Sequence, residues 1–389
     1  MPDYDVNENS DVYYQGRYWN DYDAVVRMIN ERISGDPALT WYEHFAKVSN
    51  RTFERALILN CGNGWVERDL LDSGLILGAV GIDYSEELLG EARAAAERGN
   101  LPLAYEQANV NAGKFPRQGL DLVVNHAAAH HIAAIDRVFR EICRILPEEG
   151  WFVSFDYVGP HRNQYLASAW EAAWELNEQI PESLRQDLRY PHLPTMLVDD
   201  PTEAIHSELI LQTFRRYFTV RQLTPLGGAI AYPLLTHNTK MWEAVDVGAR
   251  SEWVARILQA DDQFLAENPD SSLFAYFAGM PDKSVLGRIG QLSEWEAAET
   301  ERESRASRNG GEYYTRGALA TAFIARDAEH MDAQQTRARV SQLESELHAL
   351  RSGTLYSMTR RLLDAKTTRR LRANRFVAAV ERRLRATLS

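Results

Sequence analysis

The most constraining feature of this sequence is a rhythm between Ala56 and Val158, where short apolar runs alternate with longer helical ones. Ala56 to Leu59, Leu75 to Ile82, Leu103 to Glu106, Leu120 to Val124 and Trp151 to Val158 read as strands. Trp65 to Leu71, Ser85 to Arg98 and Ile135 to Leu146 read as helices. Helices of this length between strands imply βαβ units and therefore a parallel sheet. After Gly159-Pro160 the rhythm breaks, and residues 161–215 look largely helical, with interruptions at Pro181, Pro191, Pro194 and Pro201. Tyr217 to Leu223 and Ala229 to Leu235 then read as two strands joined by Thr224-Pro-Leu-Gly-Gly228, where glycine supplies the positive φ of a hairpin turn. The expected fold is α/β, a parallel sheet ending in an antiparallel hairpin.

Around that core the segment before residue 50 is aromatic and helical, broken at Gly35-Asp-Pro37. Residues from about Trp242 to Ala328 read as a charged helical stretch. The expected organisation is a helical cap over 1–50, an α/β domain over 51–240 with 161–215 inserted, a helical extension over 241–330, and a tail over 331–389. In that tail Val340, Leu343, Leu347 and Leu350 are spaced 3, 4, 3, an a/d seam of about two heptads. Cys61 and Cys143 stand in unrelated contexts, with no disulfide or zinc spacing. The polar N-terminus is unlike a secretory signal, and no apolar run reaches membrane-spanning length. These features predict a cytoplasmic protein.

Five motifs sit at the ends of the strands. Leu57-Ile-Leu-Asn-Cys-Gly-Asn-Gly-Trp65 is a strand, a glycine turn and a helix start, where free backbone N–H groups meet a ligand. Taken alone it reads as an ordinary strand-to-helix turn, because a two-glycine loop is a weak signal. Gly81-Ile-Asp-Tyr-Ser85 closes the next strand with an acid that can accept two ribose hydroxyls or cap the following helix, a task Ser85 can also do. Tyr105-Glu-Gln-Ala-Asn-Val-Asn111, Asp121-Leu-Val-Val-Asn-His-Ala-Ala-Ala-His-His-Ile132 and Leu146-Pro-Glu-Glu-Gly-Trp-Phe-Val-Ser-Phe-Asp156 follow in order.

In the order and spacing of these segments, residues 50–240 resemble the class I S-adenosylmethionine (SAM)-dependent methyltransferases. The resemblance implies a Rossmann-like sheet of seven strands, one of them antiparallel, and SAM as cofactor. It places Gly62 and Gly64 against the methionine part of SAM and Asp83 on the ribose, with Asn60 and Tyr84 beside them. It places Asn109 and Val110 at the adenine, and Asn125 at the start of the loop facing the methyl group. The chain departs from the family pattern at Ile58, where an acid is frequent, at Asn60, where glycine is usual, and at Asn109, where aspartate is common. Glu67 or Asn60 is a candidate to compensate for Ile58.

Methyl transfer to a hydroxyl benefits from a base near neutral pKa, commonly histidine. His130 and His131 follow the fourth strand, while Asp156 and His161 follow the fifth, at the strand ends where open α/β sheets bind ligands. These four are the candidate catalytic residues. Each is equally readable as a satisfied structural hydrogen bond. Arg162, Asn163 and Gln164 are candidates to bind a polyhydroxylated or anionic acceptor, and Tyr190 to Pro194 with Glu203 to His206 are candidates for its pocket wall. His126 and His130 have the i, i+4 spacing of a helical metal pair, but paired histidines here occur in family members without metal, so no metal is expected.

The net charge is −12, yet Arg351 to Ser389 holds eleven Lys/Arg against two acids. The body is therefore strongly acidic, which excludes a nucleic-acid groove. Leu343 to Leu363 resembles the coiled-coil and basic tails of bacterial surface-polysaccharide enzymes. The predicted function is O-methylation of a hydroxylated acceptor, a sugar, glycan or glycolipid. A small-molecule natural-product methyltransferase and a non-catalytic oligomerising scaffold stay open as alternatives. The tail predicts peripheral contact with the inner membrane face, or homo-oligomers through the C-terminal helices.

Overall fold

A computed structural model describes residues 17–287 except 117, 118, 194, 195, 197–199 and 201. The Val340 to Leu350 seam, the basic tail and the extension past residue 287 lie outside the described residues.

Two helices open the described chain. Helix α1, Asp23–Ser34, stops at Gly35, whose φ of 79° lets its N–H reach the Glu31 carbonyl. Helix α2, Trp41–Ser49, starts at a capping box: Thr40 accepts from the Glu43 N–H while Glu43 reaches back to the Thr40 N–H. The alternating elements follow: β1 Ala56–Leu59, α3 Trp65–Asp72, β2 Ala79–Asp83, α4 Glu86–Gly99, β3 Leu103–Gln107, β4 Leu122–His126, α5 Ile135–Ile145 and β5 Trp151–Tyr157. Then come α6 Ala167–Gln179, α7 Ile210–Tyr217, β6 Phe218–Gly227, α8 Ala231–Leu235, α9 Thr239–Trp242, α10 Val247–Glu267 and β7 Phe274–Pro281.

The strands form one seven-stranded sheet in the order β3-β2-β1-β4-β5-β7-β6. The first five run parallel. Strand β7 is antiparallel to both of its neighbours. Strands β1, β2 and β5 are buried along their whole length, as expected of a parallel sheet covered on both faces. On one face Leu57, Leu59, Val80, Ile82 and Val123 pack with Phe139, Ile142 and Phe152. Helix α5 reaches that layer because Ile135, Val138, Phe139, Ile142 and Cys143 share one face. Each such side chain contributes about 1.5–3 kcal/mol by leaving water. Strand order reverses between β1 and β4, so the loops leaving their carboxyl ends part and open a crevice.

The Rossmann-like fold with an antiparallel terminal pair agrees with the sequence expectation, but the pair is made differently. Ala229 to Leu235, expected as the second strand, contains helix α8 instead. The strand that pairs with β6 is β7, inside the 241–330 segment expected to be helical. The boundary at 240 therefore leaves out a central strand of the sheet. A short apolar run does not reveal its own period, and a buried helix turn has the same composition as a strand. Tertiary contacts decide here. Asp261 of α10 is fully buried and accepts from the N–H groups of Gly228, Ile230 and Ala231, which fixes the start of α8. Gly227 and Gly228, with φ of 84° and 96°, turn the chain out of β6 toward that carboxylate.

The N-terminal helices fasten to the same end of the sheet. His44 Nε2 lies 2.9 Å from Gln222 Oε1, and Gln222 Nε2 donates to the Ile33 carbonyl at 2.9 Å. Trp19, 1% exposed, lies against Phe274 with ring centroids 5.0 Å apart. No helix among the described residues is long and apolar enough to cross a membrane.

Candidate functional site

Two groups of residues meet at the carboxyl ends of the strands. The first is the loop after β1. Asn60, Gly62 and Gly64 all have left-handed φ, 46°, 54° and 75°, a conformation Asn and Gly tolerate. A Cβ on Gly64 would lie 2.3 Å from the Tyr105 hydroxyl, so only glycine fits there. The loop is tied to the end of β2, where Asp83 Oδ2 accepts from Gly62 N at 2.8 Å and Oδ1 from Ser85 N at 2.8 Å. Ser85, not Asp83, caps α4 through Leu88 N. Burial pushes the Asp83 carboxyl above its usual range, and the N–H groups of Ser85, Gly62 and Tyr84 oppose that. Val110 is buried at 4%, and Asn109 Oδ1 accepts from Asn111 N at 2.9 Å. Tyr84 is exposed.

An acid at a strand end, glycines without side chains in the way and N–H groups at the start of α3 are the groups that could hold a nucleoside with a charged tail. The position of the frequent family acid holds a buried aliphatic side chain. Ile58 is 1% exposed within β1. Glu67 is fully enclosed, and its Oε1 would lie 2.4 Å from a Cβ at Gly81, beside Cys61 and Tyr105. Burial pushes its carboxyl up to about 7. Asn60 instead donates to the Ala128 carbonyl at 3.2 Å, joining the two groups.

The second group is built on Asp156, buried at the end of β5. Its Oδ2 accepts from Asn125 Nδ2 at 2.5 Å, Ala128 N at 3.1 Å and Ala129 N at 2.6 Å, and its Oδ1 pairs with His130 Nδ1 at 2.6 Å. One carboxylate thus shapes the whole turn after β4, where Ala127 takes a φ of 50°. Burial alone would raise the Asp156 carboxyl; His130 and the donated hydrogen bonds hold it below the usual range. For His130 burial pulls the other way, yet Asp156 and Glu203 push it up to about 9. His131 is lowered by burial and by its neighbour His130.

Glu203 completes this group from the segment before α7. Its Oε2 lies 3.6 Å from His130 Nε2 and 3.7 Å from His131 Nε2. Its Oε1 accepts from Asn163 Nδ2 at 3.1 Å. Thr202 Oγ1 lies 3.1 Å from His131 Nδ1 and donates to Asp200 Oδ1 at 2.9 Å. Burial first pushes up the phenols of Tyr157, Tyr165 and Tyr232; the Glu203 charge adds to that, after the neighbouring phenols for Tyr157 and Tyr165 and directly after burial for Tyr232.

The structure therefore brings together Asp156, His130 and His131, but not His161. The His161 Nδ1 pairs with the Ile205 carbonyl, and its ring lies 6.3 Å from that of His206. Asn125 is fully buried, and its amide is spent on Ser154 and Asp156, so it supports the turn from behind rather than opening the loop. His126 is not on a helix with His130. It is stacked between Trp41 and Phe155, and burial lowers it to about 4. Arg162 is 3% exposed and donates to the Asp200 and Glu203 carbonyls, and Gln164 donates to those of Arg162 and Pro191. Those two side chains latch the loop and are not presented to an anionic acceptor. Thr202 was not among the sequence candidates, although Asp200-Pro-Thr-Glu203 has the composition of an Asx turn that orients its next residues.

Residues 57–154 match the family described as methyltransferase domain, whose cofactor is SAM. The chain is similar to the uncharacterized methyltransferase YcgJ of Bacillus subtilis (strain 168), 27% identical over 104 residues, which are 26% of this chain and 41% of that protein. It is also similar to the uncharacterized chloroplastic methyltransferase At2g41040 of Arabidopsis thaliana, 30% identical over 105 residues, 26% of this chain and 30% of that protein. The match thus spans less than half the length of either relative. The crystal structure of YcgJ superposes with a TM-score of 0.37 at 16% identity, covering 62% of this chain and 97% of that one.

Proposed function

Residues 57–154 form a class I SAM-dependent methyltransferase domain, and from that premise we propose that the chain methylates a hydroxyl of a polyhydroxylated acceptor: a sugar, glycan or glycolipid. One observation carries the reading. The glycine loop with Asp83 and the histidine turn on Asp156 share one rim of the sheet, joined by Asn60, and His131 lies close enough to act electrostatically on Asp83. In this reading Asp83 holds the ribose, Gly62 and Gly64 leave room for the methionine part, and Asn109 with Val110 border the adenine. Asn109 has a second carbonyl lone pair for that purpose.

SAM supplies an already activated methyl group, so the remaining tasks are to position the acceptor and take its proton. Asp156 holds the 126–130 turn and His130 in place. His131 and Glu203 converge on one point and are the groups that receive the hydroxyl proton. The carboxylates of Glu203 and Asp200 beside the histidines suit a sugar, whose hydroxyls donate to carboxylates. With Arg162 spent on backbone carbonyls and Asp156, Asp200 and Glu203 nearby, the surroundings favour an uncharged acceptor over an anionic one.

The test is His131→Ala. Its kcat should fall about a hundredfold with the SAM dissociation constant unchanged by calorimetry. A wild-type chain that binds SAM, leaves sugars untouched and methylates amines would end the hydroxyl reading.

A further inference from the structure

His130, His131 and Glu203 each present one donor atom, all within 4.8 Å of one another. The imidazoles of His130 and His131 face the same Glu203 Oε2 through Nε2, at 3.6 and 3.7 Å. Those separations are too long for a charge-assisted N–H···O bond, which closes to about 2.7–2.9 Å. They are close to the spacing of about 3.4 Å that follows for donors on a shared tetrahedral ion with bonds of about 2.0–2.1 Å.

Each of the three is also aimed from behind. His130 Nδ1 pairs with Asp156, and His131 Nδ1 pairs with Thr202, whose hydroxyl proton goes to Asp200. With the Nδ1 atoms paired from behind, both rings present Nε2 to the same Glu203 oxygen, an arrangement that suits a cation held between the three. Glu203 Oε1 is held by Asn163, which leaves Oε2 toward the histidines. A carboxylate or hydroxyl behind each imidazole and an amide behind the carboxylate is how metal sites fix tautomer and direction.

We propose that this cluster binds one divalent transition-metal ion through His130 Nε2, His131 Nε2 and Glu203 Oε2, leaving a coordination position open. Two imidazoles and one carboxylate suit zinc, cobalt or manganese and are too poor in oxygen for calcium or magnesium. The open position takes an acceptor oxygen, a use that rests on the function proposed above. The ion would lower the pKa of that hydroxyl, whose proton would leave to solvent water, and would replace His131 and Glu203, then its ligands, as the means of activating it.

The experiment is a Co2+ titration of the untagged full chain after chelator treatment, followed by visible absorption and by calorimetry with Zn2+. The wild type should bind one equivalent and develop a four- or five-coordinate cobalt spectrum. Glu203→Gln should weaken binding about a hundredfold with an unchanged circular dichroism spectrum. Thr202→Val keeps all three ligands and should still weaken binding about tenfold by releasing His131. If wild type and both variants bind alike, or the wild type shows no such spectrum, the cluster holds only a proton and the proposal fails. Cobalt binding without methyl transfer to sugars upholds the site and removes the acceptor reading. Full transfer to sugars by a chain that binds no metal does the reverse.

Discussion

Replacing Asp83 with alanine is the sharpest test of the cofactor cradle. In the folded chain its two oxygens each accept one short backbone N–H bond, from Gly62 and Ser85 at 2.8 Å, while the Tyr84 N–H acts on the same carboxylate more weakly. A carboxylate has about four acceptor sites, so about two are left for ribose hydroxyls. Hydrogen bonds to charged groups contribute about 1.5–3 kcal/mol each. Losing two removes about 3–6 kcal/mol of binding, or about two to four orders of magnitude in Kd at 1.4 kcal/mol per tenfold. The same substitution frees the Gly62 N–H, so the loop should loosen and Tm should fall as well. Asp83→Asn separates the effects: it keeps the size and one accepting oxygen, but its NH2 must face a backbone N–H on the other side. It should bind SAM about ten- to a hundredfold more weakly while staying folded. Calorimetric titration with SAM, alongside circular dichroism melts, reads both. A folded Asp83→Ala chain whose Kd stays within about threefold of wild type refutes the ribose assignment.

Two further predictions concern stability. Burial raises Glu67 from 4.5 to about 7, so the folded state holds that proton more tightly than the unfolded one. Its contribution is complete below about pH 4.5 and is lost as pH rises through about 7, by about 3 kcal/mol in all. Urea unfolding of Glu67→Gln should lack this fall between pH 4.5 and 7, and a variant with the wild-type slope would assign it to other groups. Asp261→Ala leaves the Gly228, Ile230 and Ala231 N–H groups without their carboxylate. It should cost about 3 kcal/mol or more, and a loss below about 1 kcal/mol by denaturant unfolding would show that Asp261 does not hold α8 in place.

Much of the candidate site was legible because its residues lie at strand ends, and strand ends follow from local pattern. The run Leu57 to Trp65 announces a strand, a tight turn and a helix, and Gly64 meets Tyr105 too closely for any other residue. Asp156 was legible as a candidate for the same reason. The partners that organise it were less so. Asn125 and His161 have the right chemistry near the right place, but a side chain's direction depends on which neighbour reaches it first, and both were claimed by nearby groups. Glu203 and Thr202 reach the histidine turn from some seventy residues away, and nothing in the spacing of His130 and His131 names them.

By itself the sequence determined the parallel core, since each βαβ unit is a local matter of alternating period and crossover length. It also determined where the glycine turn and the acid at the end of β2 had to fall. Tertiary structure alone decided the antiparallel pair. Ala231–Leu235 and Phe274–Pro281 are both short apolar segments. The first became a helix because Asp261, on another helix, takes the N–H groups at its start; the second became a strand because it pairs along its length with both β5 and β6. A buried carboxylate and an unpaired strand edge are properties of the assembled chain, and they outweigh the small preferences of five to eight apolar residues.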